Sequence, residues 1–166
     1  MLPEATARLA EQVIDAYQDP EFYLRDALQV AQLWSGQVDV LRSLPEAIRA
    51  HQAVYIASGH ALGKDFLAGA IPLWWQETRY PAKTVLTGPT DRQVHEITWN
   101  ELKRHLAHRR SDLLPLGGRL MHDKLDWNEE HFILSFTTSH SERLLGKAQG
   151  IHSPHICVIV TEAQAV

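Results

Sequence analysis

The chain has 166 residues, 45% of them hydrophobic and 22% charged, enough to bury one substantial core. A formal charge of −4 excludes general attraction to nucleic acid, so any DNA contact must come from a local patch. No apolar run approaches the roughly 18 residues that cross a membrane, and the N-terminus lacks the basic-then-apolar order of a signal peptide. A cytosolic location is therefore expected, and the single cysteine, Cys157, allows neither a disulfide framework nor a cysteine metal site.

In chain order, apolar residues at helical spacing predict helices over Pro3 to Tyr17 and Pro20 to Leu33, broken at Gln18-Asp19-Pro20. A third helix passes through Val40, Leu41 and Leu44 and ends before Ala53. Together these form a helical lid over residues 1–50, ahead of a core over residues 51–166. Val54 to Ala57 reads as the first core strand and Lys64 to Glu77 as the first long helix, with Phe66, Leu67, Ala70, Leu73 and Trp74 as its buried stripe. Thr84 to Thr87 is a second strand. Gly88-Pro89-Thr90-Asp91 then turns into a helix from Arg92 to about Arg109, with Thr90 or Asp91 as N-cap. Strand, helix, strand, helix indicates α/β architecture with a mostly parallel sheet and crossover helices. A hairpin-like excursion follows, with strands near Arg119 to His122 and at His131 to Phe136 and a polar turn over Asp126 to Glu130. Ile156 to Val160 is an apolar run of the kind buried on both faces of a parallel sheet.

The stretch from Val54 to Leu67 lays out a strand, a glycine loop and a helix start, which is how a phosphate-binding loop is built. Ser58, Gly59, His60, Ala61, Leu62 and Gly63 would turn their backbone N–H groups on a polyphosphate, and Lys64 would sit on its β- and γ-phosphates. The Walker A pattern is not strictly met. Its first glycine position is Ser58, and Asp65 stands where a magnesium-holding hydroxyl is expected. At the end of the last apolar run Thr161-Glu162 stands where Asp-Glu is usual, so Glu162 is the candidate to orient water and Thr161 takes the metal-linked place. A carboxylate on the loop and a hydroxyl on the strand are the usual metal pair with positions exchanged; Asp65 would then hold Mg2+ directly or through water, with Thr161 hydrogen-bonded to it. The basic cluster Lys103, Arg104, His105, His108, Arg109 and Arg110 is either a DNA-facing patch or a solvated helix face.

Taken in order, Leu33-Trp34-Ser35-Gly36-Gln37, Ser58 to Lys64, Thr87 to Val94, Gly150 to Ser153 and Val160 to Ala163 resemble the motifs of large terminase subunits. Over about residues 20–166 the chain resembles the N-terminal ATPase half of such a phage or prophage DNA-packaging motor. The resemblance implies an additional-strand, RecA-like P-loop NTPase fold that uses ATP and Mg2+ to pump double-stranded DNA into a procapsid in the host cytoplasm. Its implied partners are a portal protein, a small terminase subunit and further copies in a ring. It implies that Gln37 recognises adenine from the N-terminal side and that Thr90 to Gln93 form the loop beside the nucleotide. By the same resemblance the chain stops just after the acidic strand, without the later strands, the coupling motif or the C-terminal nuclease. His60 stands where terminases often carry an arginine, which leaves Arg92 and Arg143 as candidates for the arginine finger. Two other readings stay open: a nucleotide-binding prophage relic that does not hydrolyse, and a helicase-type P-loop motor.

Overall fold

The computed structural model describes residues 12–57, 62–112, 117–138 and 151–163. The chain is α/β, with a five-stranded mixed sheet flanked by helices. Ser58 to Ala61 of the expected phosphate loop, Arg143 and Gly150 lie outside the described residues.

Residues 12–16 are helical and lead to α1, Pro20–Asp26. Asp19 caps α1, its carboxylate accepting from the N–H groups of Glu21 at 2.8 Å and Phe22 at 3.2 Å, with Pro20 in the first turn. The helix expected to reach Leu33 stops at Asp26 because Gln29 enters the left-handed region (φ 57°) and the Val30 N–H turns back to the Leu24 carbonyl at 3.0 Å. Val30 and Leu33 still pack on the core, so their apolar spacing imitates a longer helix. Next come α2, Ser35–Arg49, and α3, Lys64–Thr78. Leu67, Ala70, Leu73 and Trp74 of α3 are buried, as are Ala68, Ile71 and Trp75 on its other sides, because α3 lies between the sheet and α4.

β1 (Ala82–Gly88) is followed by a π-helical segment, Arg92–Thr98, which runs directly into α4 (Trp99–His108). Then come β2 (Arg119–Leu120), β3 (Lys124–Asn128), β4 (His131–Thr137) and β5 (His155–Val160). The order across the sheet is β2-β3-β4-β1-β5, with β4 and β5 parallel to β1 and the β2, β3 and β4 pairings antiparallel. The hairpin-like excursion is present, but Asp126 to Asn128 belong to β3 and the turn shrinks to Glu129-Glu130. Polar residues fit there because β3, paired with β4 on one side, has only the short β2 on the other, leaving much of its length half-exposed.

One expected strand is absent. Val54 to Ala57 lie outside the sheet, with Tyr55 89% exposed. An apolar run of four residues does not specify a strand without an edge to pair with, and here it is paired to none. β5 is itself an edge strand: Ile156, Val158 and Val160 are exposed, while Cys157 and Ile159 on the alternate face pack against the core. Burial pushes the Cys157 thiol up to about 12, so it is an inert core residue rather than a nucleophile.

Candidate functional site

Three segments meet at the carboxyl ends of the parallel strands, the place where open α/β sheets bind ligands. The first is the start of α3. Gly63 precedes Lys64 in the left-handed conformation (φ 77°), which favours glycine, and a Cβ there would lie 2.5 Å from the Gln37 Nε2 and push that amide aside. The first N–H groups of a helix have no intrahelical acceptor, so the α3 N-terminus behind Gly63 presents donors and a positive dipole end beside Lys64.

The second segment is the loop and π-helix after β1. A π-helix stacks residues five apart, so Gln93 and Thr98 lie one above the other. Thr98 donates to the Gln93 carbonyl at 3.1 Å, and both side chains reach Asp65: Gln93 Nε2 at 3.3 Å and Thr98 Oγ1 at 3.4 Å from the same Oδ1. Asp65 Oδ2 makes no hydrogen bond to the described residues. Thr90 caps the turn, its hydroxyl accepting from the Gln93 N–H at 3.2 Å. Behind α3, buried His105 hydrogen-bonds the Phe66 carbonyl at 3.0 Å and sets its ring edge-on to Phe66, bracing the helix start from α4. Burial holds the His105 imidazole below the usual histidine range, so it is neutral at pH 7.

The third segment follows β5. Thr161 pairs with β1 through both its N–H (2.9 Å) and its hydroxyl (3.3 Å) to the Thr87 carbonyl. Glu162 then takes a left-handed backbone (φ 53°), a conformation costly for a non-glycine residue and concentrated at functional sites.

Gln37, in the first turn of α2, is 7% exposed, with both ends of its amide engaged. Its Oε1 accepts from the Trp34 N–H at 3.3 Å, closing the first turn of α2, and its Nε2 reaches the Gly63 carbonyl at 3.5 Å. Trp34 donates its indole N–H to the Leu62 carbonyl at 3.1 Å. A cleft of about 370 Å3 opens there, lined by Gln32, Trp34, Gln37, Leu62, Gly63 and Phe66.

Arg92 lies at the surface, its side chain 81% exposed and 4.0 Å from Glu96. Ser153 binds the Pro81 carbonyl at 3.1 Å, at the opposite, amino edge of the sheet. The basic cluster from Lys103 to Arg110 is not one face. His105 is buried, Arg109 forms a buried pair with Glu77 (Nη2 to Oε2 2.9 Å), and Arg110 binds Asp26 and Asp112. Arg104 pairs with Glu101, because a helix packed against α3 turns its charges to acidic neighbours instead of presenting them together.

Sequence reading missed the Thr98 contact, which needs the five-residue π repeat, and the Asp91–His95 pair (2.7 Å), visible only as an i,i+4 spacing. That pair borders a second cleft of about 560 Å3 walled by Phe132, Leu134 and Phe136, which alternate away from Ile133 on the α3 face. Among the described residues no group of three or more His, Cys, Asp or Glu side chains is placed to hold a metal, and no helix is long and apolar enough to cross a membrane. No protein-family model matches the chain, and comparisons with curated proteins and with solved structures likewise found no match.

Proposed function

We propose that the chain is a P-loop nucleoside triphosphatase domain of the terminase type, coupling ATP hydrolysis to the packaging of double-stranded DNA. The observation that carries the reading is the convergence on Asp65: residues from the loop after β1 bind the side chain that directly follows Lys64 at the head of α3. Thr161 reaches the same carboxyl edge through β1. Three stretches far apart in sequence thus come together at the edge where this reading puts a nucleotide's phosphates.

In this reading the α3 N-terminus and Lys64 hold the phosphates, and Gln93 fixes the Asp65 carboxylate. Glu162, whose backbone is left-handed (φ 53°), is in this reading the residue that orients an attacking water. The donor set fits magnesium, a hard cation that takes carboxylate oxygens and keeps several waters, because Asp65 Oδ2 is not committed to any described residue. When bound, the ion would supply charge neutralisation on the phosphate oxygens.

A second reading, nucleotide binding without turnover, draws on the same geometry. Asp65 Oδ1 already accepts from Gln93 and Thr98, and the Thr161 hydroxyl is spent on Thr87, so both metal-position side chains have protein partners. Steady-state ATP hydrolysis with duplex or single-stranded DNA separates the two. The motor predicts turnover raised by duplex and lowered at least ~100-fold in Glu162→Gln. ATP binding with no turnover under either condition would support the second reading, and stimulation by single strands alone would contradict packaging.

A further inference from the structure

The larger cleft, on the sheet face turned away from α3, carries opposite charges at its two ends. Its floor is Phe132, Leu134 and Phe136, and the two phenylalanines stand four residues apart on β4, a span of roughly 13 Å. At the Phe132 end lie two ammonium groups. Lys83 is opposite Phe132 in the β1–β4 register and so on the same face, with its Nζ 5.5 Å from the ring centroid, and the Lys124 Nζ is 4.5 Å from it. Lys124 is paired with Asp126 at 2.8 Å, whereas Lys83 has no carboxylate partner among the described residues. At the Phe136 end the sign is reversed. Asp123 is fixed there by its backbone carbonyl, which accepts from the Ser135 N–H at 2.7 Å and the Ser135 hydroxyl at 3.0 Å, and its exposed carboxylate makes no ion pair with the described residues. Asp91 follows the end of β1, where Gly88 pairs with Thr137. Its Oδ1 meets His95 Nδ1 at 2.7 Å, and its Oδ2 makes no hydrogen bond to the described residues. The His122 ring, 5.2 Å from that of His95, backs this pair.

We propose that this cleft binds an amphiphilic zwitterion, with an ammonium group between Asp91 and Asp123, an apolar stem over Leu134 and Phe136, and a carboxylate on Lys83 and Lys124. An apolar floor with a few convergent polar groups is the usual make-up of a small-molecule site, and a volume of about 560 Å3 holds a stem of several carbons. A charged contact of about 2.8 Å at each end of the span leaves roughly 7 Å between the ligand's own charges, the reach of an extended six-carbon ω-amino acid. A diamine would set one of its charges against the lysines and a dicarboxylate one of its charges against the aspartates, so the opposed ends select against both. The same chemistry occurs in a free ω-amino acid and in the C-terminal lysine of a protein, whose side-chain ammonium and terminal carboxylate have the spacing of ε-aminocaproate. The site lies across the sheet from α3 and stands apart from the nucleotide reading.

The test is titration of the 166-residue chain at low ionic strength with four probes that share a six-carbon stem and differ only at its ends: ε-aminocaproate, hexylamine, hexanoate and hexamethylenediamine. Affinities come from ligand-observed nuclear magnetic resonance. The zwitterion should bind roughly 3-fold or more tightly than each of the others. Asp123→Asn should weaken ε-aminocaproate and hexylamine roughly 2- to 5-fold and spare hexanoate, and Lys83→Gln should weaken ε-aminocaproate and hexanoate to a similar degree and spare hexylamine. Neither side chain has an ion partner among the described residues, so neither change strands a charge, and the thermal midpoint should stay where it is. Nα-acetyl-lysine and its amide distinguish the two sources: competition by the free carboxylate form alone assigns the site to a C-terminal lysine, and competition by neither assigns it to a free ω-amino acid. Hexanoate or hexamethylenediamine binding as tightly as ε-aminocaproate overturns the opposed ends. Affinities unchanged in both variants, or no binding of any probe to the folded chain, overturn the site.

Discussion

Replacing Gly63 by alanine should be far more costly than an exposed glycine-to-alanine change. At φ 77° an alanine pays roughly 1–2 kcal/mol for the left-handed conformation. Its Cβ would sit 2.5 Å from Gln37 Nε2. Gln37 must then leave its rotamer, at about 0.5–1.5 kcal/mol, or give up its bonds to Gly63 and Trp34, at a similar cost for each. The unfolded chain loses entropy on gaining a Cβ, which returns about 0.4–1 kcal/mol. The net expectation is a destabilisation of roughly 0.5–3 kcal/mol, set against the ~5–15 kcal/mol that holds a domain folded. Urea unfolding followed by tryptophan fluorescence and far-ultraviolet circular dichroism measures it. A double-mutant cycle isolates the clash: in a Gln37→Ala background the Gly63→Ala penalty should fall to the conformational part alone, giving a coupling of about 0.5–1.5 kcal/mol. Additive losses, or a single-mutant cost below about 0.5 kcal/mol, would refute both the conformation of Gly63 and the packing of Gln37 against it.

Glu77 accepts from Arg109 and from the Tyr23 hydroxyl (2.7 Å) in a nearly buried setting, so Glu77→Ala should cost about 3–5 kcal/mol by stranding the Arg109 charge; a calorimetric loss below about 1 kcal/mol contradicts that. Burial lowers the pKa values of His105 and His131, so the unfolded chain binds more protons than the folded one as pH falls below about 6.5. Stability should therefore be complete above that pH and decline below it, and His105→Gln should flatten the slope by up to about one proton; an unchanged slope would mean His105 is not held neutral. Asp65→Thr and Thr161→Asp should each weaken magnesium-dependent ATP binding and together restore it, whereas additive losses would end the exchanged-pair idea. Hydrogen exchange should find the Tyr55 and Ile56 amides unprotected and those of Val85 and Leu86 among the slowest, and protection at Tyr55 would place that segment in the sheet after all.

Most elements were legible because their signals are local. Asp19-Pro20 starts α1, Gly63 precedes α3, and β1, β4 and β5 are apolar runs ended by polar or glycine residues. The failures have a shared cause. Val54 to Ala57 and the Val30–Leu33 continuation of α1 are apolar for reasons of spacing, but whether such residues pair or coil depends on partners distant in sequence. The candidate site was read from an ordered set of motifs, and the structure brings Asp65, Gln93, Gly88 and Thr161 to one edge of the sheet. It was illegible in its contacts: the five-residue repeat that puts Thr98 on Asp65 is invisible to a 3.6-residue reading. The charges from Lys103 to Arg110 looked like one patch because Glu77 and Asp26, the partners of Arg109 and Arg110, lie 32 and 84 residues away in sequence.

The central claim is that the head of α3 is a phosphate site. Its most direct test is calorimetric titration of the chain with ATP and a non-hydrolysable analogue, with and without magnesium, against Lys64→Ala. The account predicts saturable, magnesium-dependent binding of both nucleotides that disappears in Lys64→Ala while the variant's thermal midpoint stays within a few degrees. Absence of binding in the folded, unaltered chain, or equal binding in Lys64→Ala, would contradict it.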